Sequence, residues 1–367
     1  MEPSLSNITN DESTFKFTLS NINVSLANAL RRTIINDIPT LCFQTEVYED
    51  NQCIIHTNTT RLHNEILKHR LSCIPVHMTE HDILPGNYVL DIDVDNNTDT
   101  MKFVTTEDFR IRNKNTDNYL TKAETIKIFP PGKRTNMYID FARLRPKIGN
   151  SIPGEKLKLT AEFSVTSANE NSMFNVVSTC SYGNTIDMAK ANSIWEDHEN
   201  KIKAEGLTAA ELEIQKRNFY LLDANRYYKH DSFDFIIESV GVYENKDIVK
   251  KGCEVIRNKL ADLVRSIESD MVLIKLSETN MDFSYDIVLE NEDYTIGKIL
   301  EYILYEKYFI EQNLLTFCGF KKIHPHDTDS IIRVAYVEAT DKRLVADNLK
   351  EVSIIAAEVF TKLYKMF

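Results

Sequence analysis

No run in the 367 residues approaches the roughly 20 consecutive apolar residues that cross a bilayer, so no membrane-spanning segment is expected. The six cysteines, Cys42, Cys53, Cys73, Cys180, Cys253 and Cys318, include no CxxC and no paired spacing. Scattered thiols suit a reducing intracellular compartment better than a disulfide scaffold. A basic segment followed by an apolar run, the mark of a secretory leader, is also missing at the N-terminus. Positive charge is in deficit: 43 Lys and Arg against 55 Asp and Glu leave a net charge of −12. That excludes a broad phosphate-neutralising surface, and any contact with DNA is expected to be indirect or local. The catalytic signatures sought are absent as well. There is no Gly-rich phosphate loop, no GxSxG turn and no close carboxylate cluster of the kind two-metal polymerases use.

What the sequence does have is 43% apolar residues, enough to bury a sizeable core in two or three domains. "STFKFTLSN" alternates Phe15, Phe17 and Leu19 with polar residues, the period of a half-buried strand. A helix is expected over 25–39, an extended stretch over 41–56, and a short basic helix over 61–71 that stops before Pro75. Residues 80–154, rich in Asp, Asn, Thr, Gly and Pro, read as a β-rich insertion with short strands such as "GNYVLDIDV". "KLKLTAEFSVTSA" should return the chain to a sheet with one buried face. The charged segment 186–222 reads as a solvated helical excursion. "SFDFIIESVGVY" is then a strand, and Val249, Cys253, Ile256, Leu260, Leu263, Val264 and Ile267 form one stripe of a long helix.

After that the scheme begins again: a strand, a polar turn and a helix in "SYDIVLENEDYTIGKILEYILYEKYF", the strand "IIRVAYVEAT", and a terminal apolar helix. Setting Ser25-Leu26-Ala27-Asn28-Ala29-Leu30 against Thr295-Ile296-Gly297-Lys298-Ile299-Leu300 aligns hydroxyl, aliphatic, small, polar, apolar and leucine in order. Ser25 and Thr295 would be the N-caps, and Ala27 and Gly297 would allow close backbone approach. The pattern is that of two related units fused, one carrying a large insertion.

At 100° per residue, Leu26, Ala27, Ala29, Leu30, Thr33, Ile34 and Ile38 occupy one half of the first helix. Asn28, Arg31, Arg32 and Ile35 share the other half, an aliphatic centre bordered by two guanidinium groups and an amide. Arg suits a docking patch because its planar fork binds carboxylates or carbonyls while its stem covers apolar surface. From periodicity alone a solvated face with one stray isoleucine is the simpler reading, since single exposed apolar residues are common, and the pattern alone does not decide.

Two clusters resemble metal sites. Cys53-x-x-His56 with Cys73-x3-His77 offers four zinc ligands, but residues three apart on a strand point to opposite faces, which leaves ordinary histidines and buried thiols as the simpler reading. "DIDVD" places Asp91, Asp93 and Asp95 on one strand face, which a solvated edge strand explains without metal.

"NVSLANALRRTIINDIPT" with "NTTRLHNEILKHRLSCIPV" resembles the signature of the alpha-like subunits of multisubunit DNA-dependent RNA polymerases: bacterial alpha, its archaeal counterpart and the third subunit of eukaryotic RNA polymerase II. "SFDFIIESVGVYENKDIVKKGCEVIRNKL" resembles the strand and helix that close that polypeptide. "NEDYTIGKILEYILYEKYF" and the stretch "LTFCGFKKIHPHDTDSIIRVAY" resemble the smaller partner, the eleventh subunit of RNA polymerase II or its archaeal counterpart. A fusion of the two is similar to polymerases of large nucleocytoplasmic DNA viruses.

The resemblance implies an α+β fold of two fused alpha-like dimerisation units, each an antiparallel sheet with packed helices, forming an intramolecular pseudo-dimer with a β-rich insertion. Residues 1–49 and 155–268 would form the third-subunit-like unit, 50–154 the insertion and 269–367 the eleventh-subunit-like unit. It implies a non-catalytic assembly platform that docks chiefly the second-largest catalytic subunit, with small assembly subunits as further partners. DNA would be reached only through the complex, and no homodimer, membrane contact, cofactor, metal or catalytic residue is expected. A homodimeric interaction scaffold outside transcription, or a metalloenzyme built on the His-rich segment, are the competing readings. The viral likeness implies an intracellular location in the viral factory and the virion, with the host nucleus as a further compartment.

Carried over by residue, Arg31 and Arg32 match the family's arginine pair, and His69, Arg70, Ile74 and Pro75 match its second signature. With Asn28 and Ile35 these form the expected polymerase-subunit interface. Ile296, Gly297, Ile299, Leu300, Gly319, His324 and Pro325 match the small partner's motif; with Leu26, Ala27, Leu30, Ile34 and Ile303 they are the expected pseudo-dimer packing. The insertion departs from the family: no cysteine lies between Cys73 and Cys180, so neither the zinc loop nor the iron–sulfur cluster of some relatives carries over.

Overall fold

The computed structural model describes residues 2–11, 13–149, 151–204 and 208–367; residues 205–207, in the middle of the expected helical excursion, lie outside the described residues. In chain order the elements begin with β1 (Ser4–Asn10), β2 (Thr14–Ser20), α1 (Val24–Asn36), β3 (Thr40–Cys42), β4 (Cys53–Asn58) and α2 (Asn64–Ser72). They continue with β5 (Tyr88–Asp95), β6 (Lys102–Thr105), β7 (Arg110–Asn113), α3 (Lys122–Ile128), β8 (Asp140–Leu144), β9 (Lys156–Glu162), β10 (Ser164–Thr166) and β11 (Val177–Ile186). Next come α4 (Met188–Ala204), α5 (Ala209–Leu221), β12 (Tyr228–Ser239), α6 (Asn245–Glu268), β13 (Ile274–Leu276) and β14 (Ser284–Leu289). The last are α7 (Tyr294–Leu304), β15 (Leu315–Lys321), β16 (Ser330–Tyr336) and α8 (Lys342–Met366). By contact the chain divides into two units: Met1–Ile34 with Thr179–Glu238 and Val249–Phe367, and Ile35–Ser178 with Ser239–Ile248.

The first unit holds two four-stranded sheets, ordered β1-β2-β12-β11 and β13-β14-β16-β15. The alternation of β2 buries Phe15, Phe17 and Leu19, which lie opposite Ile237, Phe235 and Phe233 of antiparallel β12. The rings of Phe17 and Phe235 stack at 5.0 Å, and Phe367 packs edge-on against Phe15 and Phe17 at 6.0 and 5.0 Å. Edge-to-face pairs of this kind add about 0.5–1.5 kcal/mol each beyond their area. Helix α1 lays its apolar half inward, and α6 approaches it closely at Gly252, where a Cβ would come within 2.8 Å of Ile34 Cγ1.

In the second sheet, β14 and β16 are buried along nearly their whole length. A charge on such a strand needs a partner, and Arg333 supplies one, donating through Nε and Nη2 to the Asp286 carboxylate at 2.6 and 2.8 Å. Helices α7 and α8 bury Ile296, Ile299, Leu300 and Ile303, and Val352, Val359, Phe360 and Leu363. Strands β1, β11, β13 and β15 are additions to the sequence reading. The excursion 186–222 is helical as expected, in α4 and α5, but it is not wholly solvated: Trp195 and Ala191 pack with Phe219 and Ala224 in a small core of their own.

The second unit contains the sheet β4-β9-β5-β7 and two short ribbons, β6-β8 and β10-β3. One apolar cluster runs through it, including Phe43, Leu71, Leu90, Ile111, Phe129, Phe141, Leu159 and Phe163. Residues 155–178 group here, because β9 pairs along its length with β4 and β5.

The alternation expected of "DIDVD" is present, with Ile92 and Val94 buried and Asp93 and Asp95 exposed; β5 lies between β9 and β7, but β7 pairs only with Tyr88–Asp91, so the edge expectation fails at Asp91 and not beyond it. The aspartates of β5 are matched by cations on the neighbouring strands. Arg112 Nε donates to Asp91 at 2.8 Å, Lys158 to Asp93 at 2.8 Å, and Lys156 lies 3.0 Å from Asp95. The Lys158 hydrogen bond holds the Asp93 carboxyl below its ordinary value.

Candidate functional site

Helix α1 starts at an asparagine. Asn23 Oδ1 accepts the Ser25 N–H at 2.8 Å, and the Asn23 carbonyl accepts from Leu26 and Ala27 at 3.1 Å. In α7 the same place is taken by Asp293, whose Oδ1 accepts the Thr295 N–H at 2.7 Å. The expected caps Ser25 and Thr295 are therefore corrected to Asn23 and Asp293. A short Asx carbonyl reaches the second N–H of the helix, leaving the hydroxyl residue inside the first turn. Both caps move by the same two residues, so the alignment of Ala27 with Gly297 and Leu30 with Leu300 is preserved.

The apolar half of α1 is buried, with Leu26, Ala27, Leu30 and Ile34 at 0% exposure. Asn28, Arg31, Arg32 and Ile35 are each half-buried, so this face is not freely solvated. Arg31 Nε donates to Asn28 Oδ1 at 3.0 Å, which fixes both side chains along the helix. Arg32 does something different. Its Nε donates to Thr295 Oγ1 at 2.9 Å and its Nη2 pairs with Asp293 Oδ2, so it binds the first turn of α7. Burial pushes the Asp293 carboxyl up, but the Thr295 N–H and hydroxyl together with the Arg32 guanidinium outweigh it and hold the group below the ordinary carboxylate value. A carboxylate at a helix N-terminus also meets the positive end of the macrodipole.

In α7 the small residue is required by an aromatic ring. A Cβ on Gly297 would lie 2.0 Å from Phe320 Cε2, and Phe320 stands on β15. Gly319, beside it, would bring a Cβ to 2.9 Å from the Phe317 ring. Ile296, Ile299, Leu300 and Ile303 are buried. His324 and Pro325, grouped with these residues by the sequence reading, instead stand exposed in the turn between β15 and β16. There the His324 carbonyl accepts from Asp327 and its Nδ1 from His326, both at 3.1 Å, so their role is to close the turn.

In the second unit, α2 carries His69 and Arg70 on its exposed side. Arg70 spreads its fork over two backbone carbonyls, donating to Phe141 at 2.7 Å and Asp140 at 2.6 Å. It thereby ties α2 to β8. Ile74 is 4% exposed and belongs to the core, while Pro75 is half-buried at a cleft of about 120 Å³ lined also by Thr40, Cys73, Phe174 and Val242. Of the four zinc candidates, Cys53 is in the core with its thiol pushed up to about 11 by burial, and Cys73 is exposed. His56 bonds to Thr160 Oγ1 at 3.0 Å, and burial lowers the His77 imidazole. Among the described residues no group of three or more His, Cys, Asp or Glu is placed to hold a metal ion.

Sequence reasoning did not single out Asp293, Asn23 or Phe320. The signal for the first two was present: an Asx residue two positions before each aligned hydroxyl. Charged contacts with the same reach, Lys259 to Glu292 at 3.7 Å and Lys350 to Glu268 at 2.8 Å, had none, since their partners lie in different helices or turns.

A family model described as the RNA polymerase Rpb3/Rpb11 dimerisation domain matches residues 16–260, more than half of the chain. The Rpo3 subunit of DNA-directed RNA polymerase from Pyrococcus furiosus is 42% identical over 66 residues, 18% of this chain and 22% of that protein. The human RPAC1 subunit of RNA polymerases I and III is 33% identical over 67 residues, 18% of this chain and 17% of that protein. The rpb3 subunit of Dictyostelium discoideum RNA polymerase II is 40% identical over 60 residues, 16% and 18% of the two chains. The chain thus spans about a fifth of the length of these relatives. With α1, α2, β12 and the first part of α6 inside the matched residues, the chain belongs to the RNA polymerase Rpb3/Rpb11 dimerisation domain family.

Proposed function

We propose that this chain is a non-catalytic assembly component of a DNA-directed RNA polymerase, a platform for docking of the second-largest catalytic subunit. In this reading the two sheets of the first unit are two alpha-like modules fused into one chain, a third-subunit-like module and an eleventh-subunit-like module in residues 269–367. Their pairing would be an intramolecular pseudo-dimer, with the insertion set into the first module. The carrying observation is the bond from Arg32, on α1, to Thr295 and Asp293, at the aligned place of α7. A contact between the matching helices of two repeats is what dimerisation within one chain requires. Fusion converts that association into an intramolecular event at high effective concentration. The net charge of −12 agrees with a protein that meets DNA only through its partners.

Because Arg32 is engaged with α7, the docking residues left to a partner in the first unit are Asn28 and Arg31. In the second unit, considered by itself, His69 is exposed on α2, whereas the exposed Arg70 is occupied by the Phe141 and Asp140 carbonyls. The test is affinity purification of the tagged chain from its native source, wild type and Arg31→Glu. The wild type should recover both large catalytic subunits and the variant should lose them, with an unchanged thermal midpoint. Undiminished recovery by the variant would refute the docking face.

A further inference from the structure

In the second unit a cleft of about 260 Å³ opens beside α3. Its apolar lining is Leu120, Ile126 and Tyr138, each half-buried, together with Phe109 and Phe129, which are buried and meet edge-on at 5.2 Å. One wall is a charged stack, with the Arg110 guanidinium carbon 3.9 Å from the centre of the Tyr119 ring. Tyr119 is itself anchored, its hydroxyl donating to Asp91 Oδ2 at 3.0 Å, and Arg112 Nε holds the same carboxylate at 2.8 Å. The planar fork of Arg110 therefore rests on a ring whose far end is fixed, which reduces the freedom lost when a ligand binds it. The other cation of the rim, Lys122, is already matched by Glu107 at 2.8 Å. Arg110 is exposed and has no ion pair among the described residues, so one unmatched positive charge faces the cleft.

We propose that this cleft binds an acidic peptide segment of a partner protein, seating one apolar side chain against Leu120, Ile126 and Tyr138 and one carboxylate on Arg110. A guanidinium fork binds a carboxylate through two parallel N–H···O bonds. The volume falls below the roughly 300–1,000 Å³ of small-molecule and cofactor sites, so it suits a single side chain better than a nucleotide. Charge agrees: one free cation balances one carboxylate and leaves a triphosphate largely uncompensated. This site is independent of the faces of α1 and α2 assigned above.

The test uses the full chain and a fluorescein-labelled peptide with the core Leu-Asp-Phe-Asp-Leu between Gly-Ser flanks, followed by fluorescence anisotropy. The same peptide with Asn in place of Asp, and ATP as competitor, complete the set. The acidic peptide should bind saturably and weaken with salt. The Asn peptide, and the acidic peptide on Arg110→Gln, should each bind about tenfold more weakly or worse, the scale of one charge-assisted hydrogen bond. Arg110→Lys should recover only part of the loss, since it keeps charge without the fork. Absence of saturable binding, equal affinity for the Asn peptide, unchanged affinity in Arg110→Gln, or displacement by ATP at lower concentration than by unlabelled peptide would each overturn the proposal.

Discussion

Arg32 and Asp293, 261 residues apart in sequence, form an ion pair that joins the middle of α1 to the N-cap of α7. The same arginine donates to Thr295, so one guanidinium serves both polar groups of that first helical turn. The pair is partly open to water, at 30% and 39% exposure, and solvent screening limits its worth. A double-mutant cycle with Arg32→Ala and Asp293→Asn, followed by chemical denaturation, should give a coupling of about 0.5–1 kcal/mol. Asp293→Ala should cost more, about 1–2 kcal/mol, because the cap is lost as well.

The same pair gives the first unit a pH dependence of known sign. Asp293 is held below its ordinary value despite burial, by Thr295 and then Arg32. Its folded state therefore binds fewer protons than its unfolded state, whose value is near 3.9. The stabilisation is fully present above that unfolded value and is lost as pH falls through the lower folded one. Thermal midpoints taken through this acid range should fall less steeply for Asp293→Asn than for the wild type; parallel curves would contradict the assignment.

Gly297→Ala should destabilise the protein even though alanine is the better helix former. Overpacking against Phe320 costs about 1–3 kcal/mol, which exceeds the roughly 1 kcal/mol gained in helix propensity, given a Cβ only 2.0 Å from the ring. Phe320→Ala in the same chain should make the glycine replaceable, so the two changes should be strongly non-additive in denaturation midpoint.

In the second unit, Arg70→Ala should lower stability by about 1 kcal/mol, the net worth of hydrogen bonds in a partly exposed setting. Arg70→Lys should restore little of it, since a single ammonium cannot reach the Asp140 and Phe141 carbonyls as a fork does. Hydrogen exchange of the β8 amides would report the loosening locally.

Local periodicity made much of this legible. The buried half of α1, the alternation of β2, and the stripe of α6 each follow from short-range spacing, and the alignment of Ser25 with Thr295 carried the relation between α1 and α7. What escaped was set by distant partners. β15, "LTFCGFK", has little alternation because its burial is uneven along one sheet edge. "DIDVD" shows its exposed aspartates in the alternation, but not the Lys156, Lys158 and Arg112 that its neighbours set against them. Arg32 looks like Arg31 on a helical wheel; only the fold turns one along its own helix to Asn28 and the other across to Asp293.

The most direct measurement of the central claim is mass-spectrometric stoichiometry of the complex that co-purifies with the tagged full-length chain from its native source. If the proposed fusion holds, one copy of this chain should accompany one copy of each large catalytic polymerase subunit, with no separate eleventh-subunit-like protein. An equimolar separate small alpha-like partner, a second copy of this chain, or the absence of the catalytic subunits would contradict it.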